Sequence, residues 1–271
     1  MRLDPTVVAA GFRLAAHDVL GSTNTEALER ARGGDKGPLW IVAREQTAGR
    51  GRRGREWVSA PGNLYATLLL FDPAPPETAP QLAFVAGLAV YDAIAERARD
   101  LAAGLALKWP NDVLYANRKL AGILIESEMS GGKLAVAVGI GVNCVRHPAQ
   151  TSFPATNLDE AGQKVAPESL LYALSRSMMR CLDQWNRGAG FRAIRADWLG
   201  CAQGVGGEIT VRLAGRDLAG RFEGLDEAGR LVLRHADGRL QTITAGEIFP
   251  VAERKQVVSF LQMPRQKGQG D

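Results

Sequence analysis

Residues 44–57 read REQTAGRGRRGREW, setting Arg50, Arg52, Arg53 and Arg55 among Gly49, Gly51 and Gly54 directly after an apolar run at 39–43. Glycine lets backbone close on a ligand, and guanidinium groups bring charge and forked donors that match phosphate oxygens. The chemistry open to such a loop is to hold an anion. Its Gly49-x-Gly51-x-x-Gly54 spacing also satisfies the dinucleotide fingerprint, but that motif needs an apolar, glycine-poor helix behind it. The continuation Glu56-Trp57-Val58-Ser59-Ala60-Pro61-Gly62-Asn63 cannot form one, and no Gly-Lys-Ser/Thr follows, which argues against a P-loop. Alone, an arginine-rich loop is more often a solvated surface loop than a site. A second motif reverses that weighting.

Lys108-Trp109-Pro110-Asn111-Asp112-Val113 puts two opposite charges around a rigid turn, with Lys119 and Gly122 shortly after in Arg118-Lys119-Leu120-Ala121-Gly122-Ile123-Leu124-Ile125-Glu126. Pro110 fixes its own backbone and drives Trp109 to an extended form, so Lys108 stands at a strand end. Asn111 and Asp112 are also ordinary turn residues, and a plain strand connection is the bland alternative. Taken with Ser22-Thr23-Asn24, the GRGRRG loop and Gly139-Ile140-Gly141-Val142-Asn143, the order and spacing of motifs from 22 to 143 resembles the biotin protein ligases. Those enzymes join biotin to a lysine of biotin-dependent carboxylases.

The resemblance implies ATP and biotin as substrates, Mg2+ arriving with ATP, and the biotin carboxyl carrier domain of acetyl-CoA carboxylase or a related carboxylase as acceptor. Biotin would attack the α-phosphate of ATP, releasing pyrophosphate and leaving biotinoyl-AMP, and the acceptor lysine would then displace AMP. Two anions meet in the first step, so cations must offset their repulsion, and one preorganised donor there contributes about 3–4 kcal/mol. By the family pattern Arg50, Arg52, Lys108, Lys119 and Asp112 carry the catalysis. Ser22, Thr23 and Asn24 would read the ureido ring, although from residue type alone they are equally a helix N-cap. Gln46, Gly49, Arg50, Gly51, Arg52, Lys108 and Gly122 complete the biotin site. Arg50, Arg52, Arg53, Arg55, Trp57, Lys119 and Asn143 would meet the nucleotide, with Trp57 beside adenine. Asp112 is the nearest carboxylate to receive or orient the attacking amine's proton. Trp57 and Trp109 read singly as core residues, and their place inside both motifs favours the site. Lys108 and Lys119 have surface-strand readings as well.

The elements that must position these groups follow from periodicity. Thr23-x-x-Glu26 reads as a capping box opening a helix that Gly33-Gly34 ends. Strands are expected at 39–43 and 63–71, and a helix at 81–99 carries Leu82, Val85, Ala86, Ala89, Ala93 and Ile94 at helical spacing. Strands at 105–109, 113–115, 119–128 and 134–142 have links too short for anything but antiparallel neighbours. Helices at 167–185 and 191–199 complete an α+β domain, residues 1–203, with a mixed or antiparallel sheet, which the resemblance implies is of the class II synthetase kind. From 204 to 252 five short strand-like runs, at 208–213, 217–225, 231–234, 240–244 and 248–251, suggest a small β-barrel, which the resemblance implies is SH3-like. That barrel either docks the carrier or merely covers an apolar face. Residues 253–271 read as a loose basic tail.

Composition narrows the class further. With 271 residues, 46% of them hydrophobic, the chain suits one full-sized and one small soluble domain. Asp4, Arg13 and Asp18 interrupt any signal segment, and the most apolar helix, broken by Asp92, is too short to span a bilayer. Cys144, Cys181 and Cys201 make no paired framework and suit a reducing cytoplasm, while His17, His147 and His235 lack ligand spacing, so no protein-bound metal is expected. The net charge of +4 has no recognition helix or aromatic interleaving behind it, so no nucleic-acid partner is expected. Ser22 falls so early that an N-terminal winged helix has no room, which implies a ligase without repressor function, as monomer or homodimer. Two rivals stand beside this reading: a lipoate or octanoate ligase of the same fold, and a biotin-sensing binding protein without turnover.

Overall fold

The computed structural model describes residues 1–149, 151 and 153–250; the tail at 253–271 and the far end of the last expected strand lie outside them. Seven strands form the main sheet: β1 (Arg13–Leu20), β2 (Leu39–Gln46), β3 (Leu64–Phe71), β4 (Leu105–Lys108), β5 (Asp112–Tyr115), β6 (Arg118–Ser130) and β7 (Lys133–Val142). Their order is β1-β2-β3-β7-β6-β5-β4. β1 and β2 run parallel and every other neighbouring pair antiparallel. The turns Ala116-Asn117 and Gly131-Gly132 have positive φ at both residues (47° and 63°, 56° and 76°), the backbone that two-residue hairpins need to follow the strand twist.

Strand alternation sorts the apolar side chains to two faces. Trp40, Val42, Ala66, Leu68, Val136 and Val138 face one side, and Leu39, Ile41, Leu69, Ala135 and Ala137 the other. Helices α3 (Leu82–Arg97), α4 (Pro167–Trp185) and α5 (Phe191–Gly200) bury the first face in the large core. The second face carries α2 (Thr23–Arg32), packed through Ala27 and Ala31. A ten-residue helix is about 15 Å long, too short to cover the sheet from β2 to β4. The uncovered part of that face holds the site.

A second sheet is wholly antiparallel, with β8 (Glu208–Arg212), β9 (Asp217–Leu225), β10 (Leu231–Arg234), β11 (Leu240–Ile243) and β12 (Glu247–Pro250) in the order β11-β10-β9-β8-β12. Its Ile209, Val211, Phe222, Leu231 and Leu233 belong to the same core as α3 to α5. At the seam the Trp109 indole donates to the Gly229 carbonyl at 3.2 Å. Cys144 and Cys181 are buried thiols, while Cys201 is half-buried.

Two features depart from the sequence expectation. The capping box at Thr23 does not form: Ser22 is the N-cap and makes no side-chain cap bond, Glu26 pairs with Arg30, and the Thr23 N–H is taken by the Gln46 side chain. In addition, α1 (Pro5–Ala9) and β1 precede the first expected element. β1 is an edge strand with no buried residue, so it lacks the apolar alternation that would reveal it. Among the described residues no helix is long and apolar enough to cross a membrane.

Candidate active site

Two rows of residues running across the sheet set out the site. In the first, Tyr65, Gly141, Gly122, Asp112 and Lys108 are successive cross-strand partners on β3, β7, β6, β5 and β4. Two positions along, Thr67, Gly139 and Leu124 form the second. The glycines make the sheet flat enough to carry other side chains. A Cβ on Gly141 would lie 2.5 Å from the Trp57 ring, and one on Gly122 3.0 Å from it. On Gly139 it would lie 2.3 Å from the Asn24 amide.

Lys119 reaches the same face as Gly122 although three residues apart on a strand should point oppositely. A register shift between β5 and β6 resets the alternation, so that Leu120 and Ala121 both enter the core. The Lys119 backbone is fixed by bonds to Pro154 and Thr156. Its Nζ lies 2.6 Å from Asp112 Oδ1, out of line for an aligned hydrogen bond. Lys108 Nζ lies 3.6 Å from Asp112 Oδ2 and 4.1 Å from the centre of the Phe153 ring. Burial pushes the Asp112 carboxyl up, but Lys119 and Lys108 together outweigh it and hold the group below the usual carboxylate range. Lys108 goes the other way for an ammonium: burial lowers it by more than Asp112 and Glu247 restore. The site therefore holds an anionic Asp112 clamped between two lysines.

At the other end Thr23, Asn24 and Gln46 form a hydrogen-bonded set. Gln46 Oε1 accepts from the Thr23 N–H at 2.8 Å, with the Thr23 hydroxyl 3.1 Å away, and Asn24 Nδ2 donates to Glu126 Oε2 at 2.8 Å. Above lies the arginine loop. Arg50 pairs with Glu126 at 3.0 Å, Arg52 donates to Asn111 Oδ1 at 3.0 Å, and Arg55 reaches Glu247 of β12 at 3.2 Å. All of this encloses a cavity of about 530 Å³, within the range of small-molecule sites.

Of the residues expected from sequence, Ser22, Thr23, Asn24, Gln46, Arg50, Gly51, Arg52, Arg55, Trp57, Lys108, Asp112, Lys119, Gly122 and Asn143 line this cavity. Gly49 and Arg53 are not part of its wall. Gly49 lies behind Gln46 and Ser59, and Arg53 is exposed with φ 60°. Trp109 is also corrected: it is buried in the main core, where its ring fills the seam between the sheets. Asn143 is anchored through Nδ2 to the Thr156 carbonyl at 3.0 Å. Sequence reading passed over Glu126, Thr67, Asn111, Phe153, Glu247 and Phe249. Asn111 carried a visible signal inside the second motif; its own amide donates to the Ile123 carbonyl at 2.6 Å, which aims Oδ1 at Arg52. Glu126 ends the run 118–126 without being singled out, and Thr67, Phe153, Glu247 and Phe249 lie on segments with no local signature.

Residues 17–143 match the model of the Biotin/lipoate A/B protein ligase family, and residues 205–249 that of the Biotin protein ligase C terminal domain. The chain is 46% identical over 235 residues to the biotin–[acetyl-CoA-carboxylase] ligase of Paracoccus denitrificans, covering 84% of this chain and 96% of that one. Among solved structures it resembles the biotin protein ligase of Aquifex aeolicus in complex with biotin and ATP, with TM-score 0.72, 30% identity, and 88% and 97% of the two chains covered. It also resembles the Leishmania major enzyme in complex with biotinyl-5-AMP, with TM-score 0.61, 30% identity, and 86% and 99% covered.

Proposed function

This chain belongs to the biotin protein ligase family, and on that premise we propose that it activates biotin with ATP to biotinoyl-5′-AMP and transfers the acyl group to a lysine of a biotin carboxyl carrier domain. The observation that carries this reading is the Lys108–Asp112–Lys119 cluster lying beneath an arginine loop, with a neutral hydrogen-bonding set at the far end of one cavity. An acid with a polar, uncharged ring and a carboxylate at the end of a chain suits that division.

In the first half-reaction the biotin carboxylate attacks the α-phosphorus, a P–O bond to pyrophosphate breaks, and the electron pair leaves with it. Arg50, Arg52, Arg55, Lys108 and Lys119 line the cavity and offset the charge of both anions. Magnesium would enter with the nucleotide as part of the substrate; among the described residues no cluster of His, Cys, Asp or Glu forms a metal site. In the second half-reaction the acceptor amine attacks the acyl carbon, the C–O bond to AMP breaks with its electron pair leaving on the phosphate, and the amine's proton passes to the departing phosphate or to water. Asp112, held low by its two lysines, is a poor proton acceptor, and its role is to orient their ammonium groups. Ser22, Thr23, Asn24 and Gln46 bind the ureido ring, and Trp57 and Asn143 adjoin the nucleotide. The three free thiols suit a cytoplasmic setting.

The purified protein should exchange labelled pyrophosphate into ATP when biotin is present and not with lipoate or octanoate. Equal exchange with octanoate would move the assignment to a lipoate or octanoate ligase. Tight biotin binding without exchange would favour a sensor. A second result tests the ring-binding end. Gly139→Ala places a methyl on the Asn24 amide, and such overpacking should weaken biotin binding by about tenfold or more. Calorimetry with unchanged biotin affinity would remove Asn24 from the ring site.

A further inference from the structure

Thr67 is a fully buried hydroxyl between Ala66 and Leu68 in the middle of β3. A polar group in such a place must be paired, and the identity of its partners says what it does. Its Oγ1 donates to Asn24 Oδ1 at 2.7 Å and, with its one proton so used, accepts from the Thr23 hydroxyl at 2.7 Å. From these two contacts two chains of hydrogen bonds diverge. Asn24 Nδ2 donates to Glu126, and Glu126 pairs with Arg50. The Thr23 N–H donates to Gln46 Oε1, Gln46 Nε2 donates to Ser59 Oγ at 2.9 Å, and Ser59 donates to the Trp57 carbonyl at 2.8 Å. Arg50 opens the arginine loop and Trp57 closes it, so both ends of the loop are tied to one hydroxyl.

The orientation of each amide is fixed by chemistry. Gln46 Oε1 faces a backbone N–H, which can only donate, and turning the Asn24 amide over would set its oxygen against the Glu126 carboxylate. Asn24 Oδ1 can only accept, so the Thr67 proton is committed to it. We infer that Thr67 is a positioning residue which couples recognition of the acid's ring by Thr23 and Asn24 to closure of the arginine loop over the adenylate. The inference rests on the ligase reading above. Without the Thr67 hydroxyl, Asn24 Oδ1 loses its donor, and both ties to the loop lose their common anchor.

Thr67→Val keeps the branched shape and removes the hydroxyl, while Thr67→Ser keeps the hydroxyl. In pyrophosphate exchange Thr67→Val should raise the KM for biotin about tenfold or more with little change in kcat. With saturating biotin and ATP, trypsin should still cut its loop at Arg50 to Arg55, whereas the wild-type loop should become protected. Thr67→Ser should restore both properties. Wild-type KM and protection in Thr67→Val would overturn the inference, as would equal damage from Thr67→Ser, which would point to packing alone. Should Thr67→Val fail to fold by circular dichroism, Ser59→Ala decides, since it cuts one chain outside the cavity wall: full loop protection there overturns the coupling. A wild type inactive in biotin-dependent exchange would sink the ligase reading and this inference together. An active wild type with an indifferent Thr67→Val would sink the inference alone.

Discussion

Lys119→Ala is expected to slow both adenylation and transfer by about a hundredfold or more, the usual loss when one preorganised charge contact is removed from an active site. The fold should survive, because Lys119 is held by its backbone bonds to Pro154 and Thr156 and not by its side chain. The cluster that remains is altered in a way that can be read separately. Burial pushes the Asp112 carboxyl up and Lys119 is the foremost group opposing it. Without that lysine the carboxyl titrates at higher pH than in the wild type. A group with a depressed pKa stays ionised until pH falls through that value, so the wild-type cluster keeps its Asp112 charge on the acid side. In Lys119→Ala the residual activity should begin to fall at a higher pH, as Asp112 takes up a proton and Lys108 loses its counter-ion. Pre-steady-state rates for both half-reactions, followed across the acid limb, check both statements. Near-normal rates would mean that Lys108 carries the charge alone.

Arg52→Gly should leave adenylate formation working and release its product early. Arg52 ties the loop to Asn111, which is itself pinned to β6 through Ile123. A charge-assisted contact of this kind contributes about 1.5–3 kcal/mol, so its loss should speed escape of biotinoyl-AMP by about tenfold to a hundredfold. Glycine also frees the loop backbone, which loosens the cover further. The escaped anhydride should acylate exposed lysines of a bystander protein such as serum albumin. Release is measured directly by filtration of a preformed complex, and retention equal to wild type would place the closing contact elsewhere, for instance at Arg55 and Glu247.

Much of the site was legible because its chemistry is written in short segments. The arginine loop, the 108–112 turn and the Ser22-Thr23-Asn24 helix start are each local, and turn residues and strand alternation locate them without reference to the rest of the chain. The errors also have physical causes. Trp109 sits within a motif of site residues, yet Lys108 and Asp112 line the cavity while the indole turns into the seam against Gly229. Nothing in the motif tells which of two adjacent residues faces the core. Arg53, with a left-handed backbone at φ 60°, stands outside the cavity wall that Arg50, Arg52 and Arg55 line. The capping box at Thr23 was a correct pattern overridden by a distant competitor, the Gln46 side chain.

By itself the sequence determined the family resemblance, the antiparallel run from β4 to β7, the helices α3 to α5 and the five strands of the second sheet, because hairpin turns and apolar period act over a few residues. Tertiary structure decided what occupies the open face of the main sheet. That face exists because α2 is shorter than the sheet is wide, and the bulge beside Lys119 puts a lysine on it where strict alternation would have put that lysine in the core. It also decided the pairing of Glu126 with Arg50, of Glu247 with Arg55, and of Thr67 with the helix start. These contacts join residues 76, 192 and 44 positions apart. Such distances leave no periodic trace in the chain, since only the register of strands brings them within a hydrogen bond.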